Sequence, residues 1–580
     1  MPSITIDGTA CEFESGETIL QVANRNGIDI PQYCYHDGLS IVASCRICLA
    51  EVHAPNPRND NAIEPIPKLL PTCQTPAGDG QLVYTSSPKA IANQKAVMEY
   101  LLINHPLDCP VCDQAGECFL QDYSYEYGRG VSRFEETKVK QPKKDLGPHV
   151  YLYADRCIMC TRCVRFTREV TGTAELTVEG RGNQEQIDIF PGEALDNELS
   201  ANVIDLCPVG ALLDKDFLFT QRVWFLKSTP SIDGITAGGD NIVIEHNGGE
   251  IYRIKPRTNM AVNKWWISDE IRYGYKFVHS EDRLTEPMAE RFGKRVPVAF
   301  ERAYEQAIAG LSGQSLIGII SPMLPSEEAF ALAQLIKRLD ANAALALGPI
   351  PRQGEDKTFP GGYTVYAEKC PNARGVRAVL EAVTEEHRRR GFAGEVLTYE
   401  QAFGELPSRG GAIITGNYPS NWVTAEFRDA LTGTFVVLLD TLKNPLTEVA
   451  EVVLPGATWA EKAGTFHNAA DQLQAFEAAI PVTKGARPEG QIASDLVAML
   501  DGVAFEDRAA TARAEVIDAM PGQVPRGTTV LEAPGGRAFN AAAVRREMAE
   551  ASPGLRGYVE SVAMPATEVK QEADMQVVEL

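Results

Sequence analysis

Apolar and polar positions alternate from Ser3 to Ile6 and then meet an Asp7-Gly8 turn, the pattern of a half-buried strand, and the CEFE at 11–14 predicts a strand returning beside it. GETILQVANRNGIDIP then reads as a helix that turns Ile19, Leu20, Val22 and Ala23 inward and stops near Gly27 and Pro31. Two strands, a helix and a cysteine-bearing loop fit a small ferredoxin-like β-grasp domain. Between Glu51 and Leu70 the run APNPRNDNAIEPIP has little periodicity and predicts a surface loop. Ser87-Pro88 opens a helix by a side-chain cap and a first-turn proline, with Ile91, Val97, Met98, Leu101 and Leu102 on one face. That helix ends just before His105.

Past Leu226 the pattern changes. Short apolar runs at 316–320, 412–415 and 435–440 alternate with helical periodicity such as SEEAFALAQLIKRL, which predicts an α/β domain with a largely parallel sheet. The stretch from about Met564 onward is polar, acidic and without period, and reads as a loose tail. The 580 residues exceed what one core usually holds, so several domains are expected. With 55 Lys+Arg against 78 Asp+Glu, the net charge of -23 disfavours nucleic acid or anionic lipid as a partner. No apolar run approaches the roughly 18 residues that span a bilayer, so membrane association is expected only through partners.

Cysteine usage changes the picture most. The opening MPSITIDGTA lacks a basic start, an apolar stretch and a cleavage site, so a reducing compartment is expected and disulfides are not. Of the 13 cysteines, only Cys11 and Cys370 lie outside the region 34–207, and each reads as a buried or idle thiol. The rest, with His105, form three quartets: Cys34/Cys45/Cys48/Cys73, His105/Cys109/Cys112/Cys118 and Cys157/Cys160/Cys163/Cys207. The first has the close pair and distant fourth ligand of a [2Fe-2S] loop, in which the tight pair at 45 and 48 would grip one side of the centre. The third follows the bacterial ferredoxin run with a remote Cys-Pro, and Thr167 stands where a further cysteine would begin a second cubane. The central quartet can close around a [4Fe-4S] cube with three sulfurs and one imidazole. Zinc is the competing reading, but it favours two separated ligand pairs over an x2-x2 triplet. With all twelve ligands on the chain, no coordination position stands open, and one-electron transfer is the natural role. The glycine-bearing GRGN at 180–183 and AGGDN at 237–241 match no nucleotide fingerprint.

The segments YCYHDGLSIVASCRICLAEV, LLINHPLDCPVCDQAGECFLQDYSYEYG, DRCIMCTRCVRFTREVTG and NVIDLCPVGAL together resemble the large iron-sulfur subunit of proton-translocating NADH:quinone oxidoreductase, respiratory complex I. The resemblance implies one [2Fe-2S] and two [4Fe-4S] clusters on the three quartets, with electrons arriving from a flavin subunit. They would pass the first, third and central sets in that order and leave toward quinone-side iron-sulfur subunits. It implies an enzyme subunit with no NADH, flavin or quinone site of its own, peripheral on the cytoplasmic face of the bacterial membrane. The implied domains are 1–85 ([2Fe-2S], β-grasp), 86–140 (one-histidine [4Fe-4S]), 141–225 (four-cysteine [4Fe-4S], ferredoxin-like), 226–560 (α/β) and 561–580 (flexible tail). The fourth of these resembles a degenerate molybdopterin oxidoreductase domain, most clearly in AEVVLPGATWAEKAGTFHNAADQLQ. Active relatives carry a further cubane there; the matching positions hold Asp233, Thr236, Asp240 and Ser268, poor substitutes for thiolates. A fourth cluster and molybdopterin are therefore expected to be absent. A formate dehydrogenase or NAD-linked hydrogenase chain is the alternative, disfavoured by those missing ligands and by the full-length second half.

Overall fold

The computed structural model describes residues 1–505 and 539–564. One unit comprises Met1–Leu226 with Thr358–Tyr363; the second begins at Lys227 and takes the remaining described residues.

In the first unit, β1 (Ser3–Ile6) and β2 (Thr9–Glu12) pair antiparallel, Ser3 opposite Glu12. Helix α1 (Ile19–Arg25) starts at Thr18, whose hydroxyl and the Gln21 side chain cap each other's backbone N–H groups. Its four expected core residues are fully buried. Strands β3 (Leu49–Asn56), β4 (Ala62–Pro65), β5 (Leu70–Pro71) and β6 (Leu82–Tyr84) complete a sheet ordered β2-β1-β6-β3-β4, with β5 beside β3 and β1 parallel to β6. This is the β-grasp arrangement. The segment expected as a loop is instead the β3–β4 hairpin, with His53 opposite Pro65. Its edge strand is exposed on both faces, so it shows no alternation, and an edge tolerates the proline that a central strand would not.

Helix α2 (Pro88–Leu102) begins at Ser87 as expected, the hydroxyl accepting from the Ala90 N–H. Its buried face differs: Ala90, Gln94, Val97 and Met98 point inward and Ile91 is exposed. Gln94 tolerates burial because its amide donates to the Thr85 carbonyl at 3.1 Å. After α3 (Phe119–Glu126), strands β7 (Lys143–Asp145), β8 (Val150–Tyr153) and β11 (Leu212–Asp214) form a small sheet. Between β8 and β11 run the one-turn helix α4 (Arg162–Arg165), the hairpin β9 (Leu176–Glu179) and β10 (Gln186–Ile189), and α5 (Asn202–Leu206).

The second unit opens with an antiparallel sheet of β12 (Lys227–Ile232), β13 (Asn241–Asn247) and β14 (Glu250–Pro256), followed by α6 (Asp269–Tyr273). Its main sheet has eight strands. Two antiparallel ones, β15 (Met288–Arg291) and β16 (Lys294–Pro297), border a parallel set. That set comprises β17 (Leu316–Ile320), β18 (Ala344–Leu347), β21 (Val396–Leu397), β22 (Gly411–Thr415), β23 (Phe435–Asp440) and β24 (Val452–Pro455), while β19 (Lys357–Thr358) and β20 (Thr364–Val365) form a separate ribbon. Apolar clusters cover both faces, Ile320, Leu439 and Leu454 on one and Ile319, Leu438 and Val453 on the other. A sheet buried on both sides explains why its strands read as continuous apolar runs. Helix α8 (Ser326–Leu339) spans the expected SEEAFALAQLIKRL and packs so closely on β17 that a Cβ at Gly318 would lie 2.4 Å from Ile336. Of the segment expected as a tail, Ala563 exchanges backbone hydrogen bonds with Leu473 and Ala475, and 565–580 lie outside the described residues.

Candidate metal centres

In the third quartet Cys160 and Cys163 are buried and Cys157 and Cys207 partly so. Cys157, Cys160, Cys163 and Cys207 line one cavity together with Leu152, Ile187, Val209, Ala211 and Leu212. The loop takes its form through two non-glycine residues in the left-handed region, Met159 at φ 52° and Thr161 at φ 58°. That turn aims backbone amides at sulfur: the Met159 N–H donates to Cys157 Sγ at 3.4 Å. Burial pushes all four thiols up, Cys160 to about 11, so they favour thiolate only if a cation offsets the desolvation. Thr167 is fully buried and its hydroxyl donates to the Val164 carbonyl at 3.2 Å.

In the first quartet Cys34 neighbours Cys45 and Cys48 neighbours Cys73. Within each pair the neighbouring thiol draws Cys34 and Cys48 down and pushes Cys45 and Cys73 up. Spacing alone suggests the tight pair 45 and 48 on one side; the fold instead groups the residues across the loop. Ala43 and Arg46, at φ 50° and 60°, turn that loop, and α2 holds it through Tyr100 Oη on the Cys45 carbonyl and Asn93 on the Arg46 carbonyl.

In the central set, Cys112 and Cys118 are buried and Cys109 is exposed on the turn Cys109–Val111. Cys109 acts electrostatically on Cys112, and Cys112 on Cys118. Burial, then Arg156 and Lys138, depress His105 to about 4, so its imidazole is neutral and able to donate a lone pair. Lys138 fixes the chain before it by donating to the Leu102 and Ile103 carbonyls, and Arg156 fixes the chain after it by a forked bond to Asp108 at 2.9 and 3.1 Å.

The third and central sets share a wall. Cys118 Sγ and the Phe119 N–H both approach the Pro208 carbonyl, at 4.0 and 3.1 Å, and Gly210 packs directly on Cys112. Tyr33, beside Cys34, reaches the Phe119 carbonyl at 3.5 Å. The motifs alone did not single out Gly210, Arg156 or Tyr33; the Cys-Pro-Val-Gly spacing was the one available signal for the glycine. Among the described residues, no three His, Cys, Asp or Glu side chains converge to hold a single ion. A polynuclear centre spreads its thiolates over several irons and does not require that convergence.

In the second unit, the Asp233 carboxylate accepts from the Ile235 and Thr236 N–H groups and from the Thr236 hydroxyl, and Ser268 caps α6 by accepting from the Ile271 N–H. Asp240 is likewise buried. At the C-terminal end of β23, Asp440 accepts from the Asn417 N–H, Trp422 and Asn444. Nearby segments of this unit bury Lys462 between Glu328 and Glu489 at 2.7 and 2.6 Å. Cys370 is fully buried, with its thiol toward Glu368 at 3.6 Å; Cys11 is buried in the β-grasp core.

In series along the chain, domains of iron-sulfur cluster-binding type precede one of molybdopterin-oxidoreductase type. Family models match in series: a 2Fe-2S iron-sulfur cluster binding domain (residues 2–88), an NADH-ubiquinone oxidoreductase-G iron-sulfur binding region (94–133), an NADH-quinone oxidoreductase subunit 3 ferredoxin-like domain (147–213), an NADH-ubiquinone oxidoreductase NDSU1/NuoG-like 4Fe-4S domain (226–276) and molybdopterin oxidoreductase (412–499). The chain is 40% identical over 346 residues to the NADH-ubiquinone oxidoreductase 75 kDa subunit of Reclinomonas americana, covering 59% of this chain and 48% of that one. It is 41% identical over 350 residues to the mitochondrial 78 kDa subunit of Neurospora crassa (59% and 45%) and 37% identical over 345 residues to an NADH-quinone oxidoreductase subunit of Rickettsia felis (59% and 50%). A crystal structure of NAD+-reducing [NiFe]-hydrogenase in the H2-reduced state is 29% identical, with 38% of this chain and 91% of that one covered and a TM-score of 0.33. The chain is a relative of the 75 kDa-type iron-sulfur protein of NADH:quinone oxidoreductase. It spans about half the length of the curated relatives it matches.

Proposed function

We propose that the chain is an electron-relay subunit of NADH:quinone oxidoreductase, holding a [2Fe-2S] cluster on Cys34, Cys45, Cys48 and Cys73. In this reading [4Fe-4S] clusters sit on Cys157, Cys160, Cys163 and Cys207 and on His105, Cys109, Cys112 and Cys118. When bound, such clusters supply one-electron transfer without bond making. The observation that carries the reading is the shared wall: the peptide Pro208–Gly210 closes the four-cysteine cavity and touches Cys112 and Cys118 of the central set. Largely apolar walls surround the third site, and the Met159 N–H turned toward Cys157 Sγ helps position that thiol.

The division 1–85, 86–140, 141–225 and 226–560 follows the three sites and the sheet domain. That last domain we read as a scaffold without molybdopterin or a fourth cluster. Oxygen donors stand at 233, 236, 240 and 268, and a buried carboxylate and ion-pair network lies at the C-terminal strand ends where open α/β sheets place ligands. Partners would be a flavin-bearing, NADH-binding subunit and quinone-side iron-sulfur subunits, at the cytoplasmic face of a bacterial membrane. Among the described residues no helix is long and apolar enough to cross a membrane.

Purified protein should contain about ten irons, 2 + 4 + 4, and bleach with dithionite. His105→Ala should remove or alter one [4Fe-4S] EPR signal and leave the other two centres unchanged. A colourless zinc-loaded protein, about fourteen irons, or three unaltered signals in the variant would each overturn a named part of the reading.

A further inference from the structure

Two side chains that no cysteine motif uses lie between the first and third sets. Arg165 Nη2 donates to the Cys34 carbonyl at 2.5 Å and to the Cys160 carbonyl at 3.2 Å, and its Nη1 donates to the Ser40 carbonyl at 2.5 Å. Arg162 Nη2 donates to the Tyr35 carbonyl at 2.5 Å, and its Nη1 to the Leu206 carbonyl at 3.3 Å. Each guanidinium thus joins the main chain at, or next to, a cysteine of the first set to the main chain at, or next to, a cysteine of the third. Arg162 is 6% and Arg165 8% exposed, and the Nε of each is buried without a partner.

Their partners are neutral carbonyls. Glu169, one turn away along the chain, instead accepts from the N–H and hydroxyl of Ser40. A buried cation needs a counter-charge, and thiolate-bound centres at Cys34, Cys160 and Cys207 would place negative charge beside both guanidinium groups. Arginine suits the place because its planar fork reaches two carbonyls at once and it does not deprotonate.

Resting on the reading that these sets hold clusters, we propose that Arg162 and Arg165 are positioning residues for electron transfer between the first and third sites. They clamp the two ligand loops at a fixed separation, and their shared positive charge favours the reduced state at both. The step they serve moves one electron from one site to the other, with no proton and no bond exchanged.

The test is EPR-monitored redox titration of the full chain with its clusters in place, for Arg165→Gln, Arg162→Gln and Arg165→Lys. Each Gln variant should keep wild-type iron and lower the midpoint potentials of the [2Fe-2S] centre and the four-cysteine centre. The expected change is roughly tenfold in each reduction equilibrium, about 59 mV for a one-electron couple, with the central set unmoved. Arg165→Lys, which keeps the charge, should recover most of that potential. Unchanged potentials at both centres, with iron retained, would overturn the proposal. Should Arg165→Gln lose iron, Arg162→Gln carries the same comparison. Wild-type protein lacking the [2Fe-2S] or the four-cysteine signal would refute the cluster assignment on which the role rests, an outcome distinct from unchanged potentials in the variants.

Discussion

Gly210 offers the sharpest perturbation, because it separates two sites with no side chain at all. A Cβ built there would lie 2.2 Å from Cys112 Sγ and 3.1 Å from Gln114 Cβ, against an ordinary non-bonded contact of about 3.5 Å. Gly210→Ala therefore requires a displacement of more than about 1 Å. Cys112 has a single side-chain torsion, so it can yield only by swinging its sulfur away. Its backbone is held, since its carbonyl accepts from Arg222 at 2.8 Å and from the Ala115 N–H at 3.1 Å. As packing strain alone the cost is about 1–3 kcal/mol. As ligand geometry it is the loss of a thiolate, so iron should fall by about four of about ten and one [4Fe-4S] signal should vanish or change. Gly404→Ala is the control: its added Cβ meets nothing within 4 Å inside α10 (Tyr399–Glu405), and it should keep all iron and gain about 1 kcal/mol. Wild-type iron and unaltered signals in Gly210→Ala would refute both the close approach and the assignment of Cys112.

Lys462→Met should destabilise the protein by about 3–5 kcal/mol, because it strands the fully buried Glu328 and Glu489, while iron content stays unchanged; an unshifted Tm would contradict this account. Stability should also fall as pH rises from about 4 to 7. Burial pushes folded Asp233 up from 3.8 to about 7, so in that window the folded chain keeps a proton that the unfolded chain has released. Asp440, raised by burial to about 6, acts in the same direction. Thermal unfolding of Asp233→Asn should show a shallower pH slope than wild type, and equal slopes would remove Asp233 from the account.

Much of this protein is local chemistry, and local chemistry is written in order along the chain. The x2-x2 cysteine run, the Ser87-Pro88 cap and the continuous apolar runs of the parallel strands were legible because each depends on near neighbours or on burial of both faces. The β3–β4 hairpin was not, because an exposed edge strand imposes no pattern on its side chains.

What the sequence shows by itself is therefore the spacing of three candidate donor sets and the kind of fold carrying each. Which thiols stand side by side, and what lies between the sets, only the tertiary structure decided. Arg165 meets the Cys34 carbonyl across 131 residues and Arg162 meets that of Tyr35 across 127, separations no motif spans. Glu327 and Glu328 fall in the polar first turn of α8 by sequence, yet the fold buries both completely. Arg545 and Lys462 arrive from distant segments to pair with them. Spacing fixes what a loop can bind; the long-range contacts that hold one loop against another depend on every intervening element having folded.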